Sequence, residues 1–354
     1  MHRLSVLTKF RALGAVAAIA VISACSGGSL AIEPHWASPQ DGAHLSSGGV
    51  QGVLSPFGLI NINRNGHQLK SFDACPAKGP IKYVSDASNS IINIYVGKFA
   101  GQDPCGQITS GLTGPQGLFV KNATHDLYVA NFYGYDVVVF HRGQMTPYNT
   151  YTDANGEYPL DVTVANDGTV IVSNYDNMKL TDHGSISTWI AGPNGGTFVG
   201  NFPITNAING GFITVRKNGV VYYNDLDATT MQGALWTLSC PAGKCGTQNQ
   251  VNVVPFVGPA GMAIDATGDL LLNGGNGFVP TADTFELPNP NPKTFLVEGA
   301  PWGMAIDPTD HHWFIADPGS LGAEEYSYPS GRLIGFVRVN PCCIGLPVGI
   351  AVDP

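Results

Sequence analysis

The chain has 354 residues, of which 44% are apolar and 12% charged, with 45 glycines, 25 prolines and a formal net charge of −9. The apolar share is enough for a real core, and the density of Gly and Pro points to a turn-rich all-β protein. An acidic chain without a Lys/Arg cluster repels phosphate backbones and anionic bilayers, so nucleic acid is not an expected partner.

Arg3, Lys9 and Arg11 flank and precede an apolar run, Leu13–Ala24. A membrane span takes about 20 residues, and this run is shorter. It matches the apolar region of a secretory signal. It ends in Ile22-Ser23-Ala24-Cys25, which resembles the bacterial lipobox: an aliphatic residue, two small ones, then the cysteine that carries the lipid. The resemblance implies a signal peptide over 1–24, lipidation of Cys25 and a place in the cell envelope, on the periplasmic side or at the cell surface. An ordinary signal peptide followed by a coincidental Cys is the alternative. Without residues 1–24 the chain keeps 14 basic and 26 acidic side chains. Residues 25–74 then form a tether and N-terminal extension, Gly/Ser-rich over 26–50, as flexible linkers are. Residues 75–354 form the folded domain.

Six further cysteines are present: Cys75, Cys105, Cys240, Cys245, Cys342 and Cys343. An even number outside the cytoplasm points to disulfides. Cys240-Pro241-Ala242-Gly243-Lys244-Cys245 crosses a hairpin turn, so Cys240 is expected to pair with Cys245. The other four allow three connectivities, and the sequence leaves the choice open. None of the spacings is that of a zinc site.

A repeat dominates the domain. Its unit opens on Pro-x-Gly and a strand: Pro115-Gln116-Gly117, Pro259-Ala260-Gly261, Pro301-Trp302-Gly303 and Pro347-Val348-Gly349. Pro159-Leu160-Asp161 carries Asp in the Gly column, and Asn209-Gly210-Gly211 lacks the Pro. Successive copies lie 44, 50, 50, 42 and 46 residues apart, the period of a four-stranded propeller blade. Turns such as Asn166-Asp167-Gly168 and Lys217-Asn218-Gly219 follow, with the residues that tight hairpins demand. Second strands come next, ending at Asp86, Asn131, Asn174, Asp225 and Asp317, with Asn273-Gly274 in the remaining unit. Third strands are predicted at Asp136–Phe140, Ser185–Trp189, Ala234–Leu238 and Ala323–Tyr328, each rich in strand formers. The last copy, Leu346–Pro354, stops after one strand, and the unit at residues 81–108 lacks its first. Pairing the two closes a ring of six blades without free edges. A seven-bladed ring would need a blade from residues 45–80, where Gly58–Phe72 could supply a hairpin.

The phrases Pro-x-Gly-[Ile/Met]-Ala-[Val/Ile]-Asp and Tyr-Val-[Ser/Ala]-[Asp/Asn] resemble NHL-repeat propellers and the wider gluconolactonase-like superfamily, over residues 75–354. Tyr326–Gly335 looks like the blade ends of secreted bacterial members without an assigned function. The resemblance implies an all-β, six-bladed propeller of four-stranded antiparallel blades. It also makes the face at the Pro-x-Gly turns and second-strand ends the binding surface, with Asp86, Asn131, Asn174, Asn209, Asp225, Asp317 and Trp302 as its candidate residues. Tyr133, Tyr135 and Tyr175 would lie near it, where rings stack on sugars. A ring of carboxylate and amide oxygens also suits a hard cation such as Ca2+, although the same residues cap turns by bonding backbone N–H groups.

Gluconolactonase-like hydrolases hold a catalytic metal through an early Glu, turn-flanking Asn residues and an Asp in a Pro-Asp-Gly turn. Asn209 matches one Asn, but Ala260 fills the Asp column and no Glu stands at an early turn. No nucleophile elbow or His pair at metal-binding spacing replaces them. The expectation is therefore a monomeric binding or scaffold module with no catalytic residues and no cofactor, taking an unidentified small-molecule, glycan or protein ligand. A hydrolase or lyase with a rearranged metal site is the alternative.

Overall fold

The computed structural model describes residues 53–55, 58–60, 75, 79–153, 155–177, 184–208, 210–256, 261–276, 279–285, 293–297, 301–339 and 345–354. The chain divides into two units. In the smaller, residues 1–69 with 342–344, the described part is one antiparallel hairpin of β1 (Val53–Ser55) and β2 (Gly58–Ile60). A seventh blade would need four strands.

The larger unit, residues 70–341 and 345–354, consists of the four-stranded antiparallel blades of a β-propeller. It opens with β3 (Ile81–Asp86), β4 (Ile91–Val96) and β5 (Gly106–Ile108). Five sheets of consecutive strands follow. The first contains β6 (Pro115–Lys121), β7 (Asp126–Asn131), β8 (Asp136–Phe140) and β9 (Asn149–Thr152). The second contains β10 (Glu157–Val164), β11 (Thr169–Asn177), β12 (Ser185–Ile190) and β13 (Thr197–Pro203). The third contains β14 (Ile213–Val215), β15 (Val220–Leu226), β16 (Gly233–Ser239) and β17 (Asn249–Phe256). The fourth contains β18 (Met262–Ile264), β19 (Leu270–Asn276), β20 (Val279–Phe285) and β21 (Lys293–Leu296). The fifth contains β22 (Gly303–Ile306), β23 (His312–Asp317), β24 (Gly322–Ser327) and β25 (Arg332–Arg338). The final strand, β26 (Pro347–Asp353), returns to the start of the unit and pairs antiparallel with β3, Asp353 opposite Ile81 and Ile350 opposite Val84. That composite sheet runs β26-β3-β4-β5.

Local chemistry sets the strand limits. Gly219 sits at φ +84° between β14 and β15, a conformation open to Gly at no steric cost. The Asn218 side chain accepts the Val220 N–H at 3.2 Å and ties the same turn. All six residues of β7 are buried, as are those of β3. Both strands are therefore buried on their two faces, with Lys82, Ser85, Asp126 and Asn131 buried among apolar residues.

The Pro-x-Gly motif has a steric cause. A Cβ on Gly349 would fall 2.1 Å from the Gln116 carbonyl oxygen, one on Gly303 2.5 Å from that of Val348, and one on Gly261 2.4 Å from that of Trp302. Each glycine therefore lets the x-residue backbone of a neighbouring first strand approach where a side chain would collide. Strand β26 touches both β6 and β22, and β10 touches both β6 and β14.

The core is divided among the gaps between sheets. Ile81, Tyr83 and Ala351 cluster with Leu118, Leu127 and Phe140. Val84, Tyr95 and Ile350 cluster with Phe314, Ala316 and Val337. Tyr128 and Val139 meet Val162, Val172 and Trp189 across the next gap. Each large apolar side chain fully buried this way contributes about 1.5–3 kcal/mol. Polar ties reinforce the seam where the last strand joins. Ser85 Oγ donates to the Gln116 carbonyl at 2.8 Å and accepts the Gly349 N–H at 2.7 Å. Arg142 donates to Asp353 at 2.7 Å.

Cys240 is bonded to Cys245, and Cys75 to Cys105, which selects among the pairings the sequence left open. Cys25, Cys342 and Cys343 lie outside the described residues. Two disulfides fit an oxidising, extracytoplasmic setting. Among the described residues no helix is long and apolar enough to cross a membrane.

Candidate functional site

Five of the second strands carry buried polar side chains that are tied to their surroundings, whereas neither amide atom of the buried Asn273 in β19 has a hydrogen-bond partner among the described residues. Asp86 accepts hydrogen bonds from Ser88 Oγ and Asn89 Nδ2, both at 2.8 Å, and from the Leu346 N–H at 3.0 Å. Asn131 accepts the Thr113 N–H at 2.5 Å and donates to Asp136 at 2.8 Å. Asn174 donates to Ser185 Oγ at 3.0 Å and Ser187 Oγ at 2.8 Å. Asp225 accepts the Gly210 N–H at 2.8 Å and the Tyr223 hydroxyl at 3.0 Å. Asp317 accepts the Gly319 N–H at 2.7 Å. Side chains of this kind stabilise turns that secondary structure cannot satisfy. They fix the face on which the loops between second and third strands stand. Trp302 is half-buried, edge-on to Phe212 at 5.7 Å. Asn209 lies outside the described residues.

Beside Asn131 and Asn174 the face carries an aromatic cluster. The chain leaves β7 through a 3-10 turn, Phe132–Gly134, and enters β8 through Tyr135 at φ +57°, a left-handed conformation uncommon for a bulky residue. The Phe132 ring lies 5.0 Å from Tyr133, 4.9 Å from Tyr158 and 6.0 Å from Tyr175. Tyr135 lies 4.8 Å from Tyr158. Tyr133 is 60% exposed and Tyr175 38%. The sequence placed Tyr133, Tyr135 and Tyr175 near this face. It did not single out Phe132 or Tyr158, whose positions beside strand ends were the available signal.

Under the cluster, between the first and second consecutive sheets, is a small cavity lined by Tyr135, Asp136, Asp153, Glu157, Asn174 and Trp189, among others. It has room for a group of about one water's size. Burial pushes the Asp136 carboxyl above the usual carboxylate range, and the Asn131 amide bond pulls in the opposite direction. Asp153 accepts the Asn155 N–H at 2.7 Å and the Ser187 hydroxyl.

A second cavity lies where the first strands converge. It is lined by Gly117, Asp161, Phe212, Gly261, Gly303 and Gly349 together with adjoining apolar side chains. Asp161 is the only ionisable residue in this lining. Its carboxylate accepts the Val162 N–H at 2.9 Å and, from the neighbouring sheet, the Ile213 N–H at 3.1 Å. Burial raises its pKa from 3.8 to about 7, against the pull of those two backbone bonds. The adjacent Gly117 leaves space for it: a Cβ there would sit 2.0 Å from Asp161 Oδ1. Among the described residues no three His, Cys, Asp or Glu side chains are arranged to hold a metal ion.

No protein-family model matches the sequence, and no curated protein sequence matches it. Solved structures do share its architecture. A chain of the nidogen/laminin complex is 12% identical with a TM-score of 0.57, over 78% of this chain and 99% of that one. A functionally unknown protein from Desulfotomaculum acetoxidans is 12% identical with a TM-score of 0.54, over 77% and 98%. Kuenenia stuttgartiensis hydrazine synthase is 11% identical with a TM-score of 0.53, over 72% and 82%. At such identities the likeness is one of fold alone.

Proposed function

We propose that the protein is a lipid-anchored, extracytoplasmic propeller that binds a ligand on the face at its second-strand ends, without catalysing a reaction on it. In this reading the six four-stranded sheets form a closed ring, anchored through Cys25, related to the NHL-repeat and gluconolactonase-like propellers. The β26–β3 pairing and the contact of Gly349 with Gln116 support the ring. Asp86, Asn131, Asn174, Asp225 and Asp317 act as the rigid frame of the face, with Trp302 beside it.

The observation that carries the reading is the aromatic cluster. Tyr133 and Tyr175 leave large ring surfaces in solvent beside a polar cavity. Exposed aromatic rings next to fixed polar groups are the ordinary composition of a ligand site. The test is a melting-temperature screen of the protein against neutral sugars, amines, organic acids and peptides, repeated with the Tyr133→Ala/Tyr175→Ala double variant. A ligand that raises the wild-type melting temperature and fails to raise that of the variant supports the site. Equal stabilisation of both proteins rejects it.

A further inference from the structure

Resting on that binding face, we infer that the cavity under the aromatic cluster receives a primary alkylammonium group, as borne by a free diamine or a lysine side chain. The argument starts from hydrogen-bond supply. Asn174 directs its amide hydrogens to Ser185 and Ser187. Asn131, which neighbours the cavity, directs its own to the Gly111 carbonyl at 3.2 Å and to Asp136. The Ser187 hydroxyl donates to Asp153. The amide hydrogens of Asn131 and Asn174 are therefore engaged within the protein, and the lining supplies carboxylate oxygens from Asp136, Asp153 and Glu157. A ligand matched to acceptors brings donors, and an ammonium carries three and no acceptor.

Charge points the same way. Asp136 and Asp153 belong to none of the ion pairs among the described residues. The carboxyl groups of Asp136, Asp153 and Glu157 line one partly buried cavity, and a cation there offsets their desolvation. The described groups do not converge as metal ligands do. The cavity itself is small, which admits an ammonium tip more readily than a guanidinium fork. The rest of such a ligand would pass over the Tyr135, Tyr158 and Phe132 rings toward Tyr133 and Tyr175. Their faces attract a cation, and their apolar surface takes an alkyl stem.

Isothermal titration of the full chain with cadaverine, and separately with N-acetyl-lysine methylamide, tests the inference and identifies the source of the amine. N,N′-diacetylcadaverine, the Nε-acetylated form of N-acetyl-lysine methylamide, and glucose serve as neutral comparisons. Binding by either amine, weakened by at least roughly tenfold on acetylation, equivalent to about 1.4 kcal/mol, is the expected result. Added salt is expected to weaken it further. Asp136→Asn retains the shape of the site and is expected to lose several-fold in affinity. Tyr175→Ala, an exposed position that leaves the core intact, is expected to do the same. Glucose binding that requires Tyr133 and Tyr175, with no amine binding, overturns this inference and preserves the binding face. Amine binding unchanged by acetylation or by both variants also overturns it.

Discussion

Replacing Asp161 with Asn should remove the pH dependence that one identifiable group lends to the protein's stability. The carboxylate sits among glycines and apolar side chains at the convergence of the first strands, and its pKa rises from 3.8 to about 7. The folded state therefore binds this proton more tightly than the unfolded state does. Stability linked to Asp161 is greatest below pH about 4, falls as the pH rises between the two values, and is at its lowest above about 7. The difference between 3.8 and about 7, at about 1.4 kcal/mol for each tenfold change, amounts to roughly 4 kcal/mol. An asparagine carries no charge and escapes that penalty. It has one oxygen where Asp161 has two, so either the Val162 or the Ile213 N–H loses its acceptor, a loss of about 1–3 kcal/mol.

The net expectation changes sign with pH. Near pH 4 the Asp161→Asn variant should be less stable than wild type by roughly 1–3 kcal/mol, because only the hydrogen-bond loss remains. At pH 8 the relief of the buried charge exceeds that loss, and the variant should be more stable by about 1–3 kcal/mol. Urea unfolding followed by tryptophan fluorescence, at several pH values with the disulfides intact, measures both curves. Every other titrating group contributes equally to the two proteins, so their difference isolates this site. Parallel stability profiles from pH 4 to 8 would refute the reasoning, whichever protein is the more stable.

Other perturbations probe the remaining parts of the argument. Gly349→Ala forces a Cβ to 2.1 Å from the Gln116 oxygen, and backbone cannot yield there as a flexible side chain would. The expected loss is at least about 3 kcal/mol, seen as a fall in the urea midpoint, whereas Gly219→Ala, with nothing within 4 Å of the new Cβ, should lose only about 1 kcal/mol from its positive φ. Cys105→Ser opens the link to Cys75 across a 30-residue separation, and unfolded-chain entropy sets the loss at about 3–4 kcal/mol; an unchanged melting temperature under non-reducing conditions would contradict it. Cys25→Ser should abolish incorporation of radiolabelled palmitate and move the protein from the membrane pellet to the soluble fraction.

The parts of the fold that were legible in the sequence are those fixed by local rules. The third strand predicted at Asp136–Phe140 occupies those residues, because a run of strand formers and its flanking turn residues act over a few positions. The second-strand ends predicted at Asn174 and Asp225 fall inside β11 and β15. The Cys240–Cys245 bond followed from a short turn in the same way. The pairing of Cys75 with Cys105 did not, because it depends on where the chain before β3 lies relative to β5. The candidate site divides along the same line. Polar strand ends recur in register with the repeat, so Asp86 or Asp225 can be found by counting. The cluster of Phe132, Tyr158 and Tyr175 is assembled across two sheets and has no period.

Departures from the repeat were the better guide to chemistry. The glycine column exists because neighbouring backbones press against it, at Gly261, Gly303 and Gly349 alike. A residue with a side chain in that column must direct it somewhere, and Asp161 directs it into the cavity lined by the first strands. Asp161 was visible in the sequence as the one acid in a column of glycines. Its consequence required the structure, since a carboxylate in water and a carboxylate among glycine and methionine backbones differ by several pH units. Position 117 completes the account. Gly117 is needed for the ordinary approach of the next strand, and it also provides the opening that Asp161 fills. The two residues should therefore behave as a pair. A side chain at 117 would be expected to displace the carboxylate and cancel the pH dependence described above, so that Gly117→Ala and Asp161→Asn are far from additive in combination.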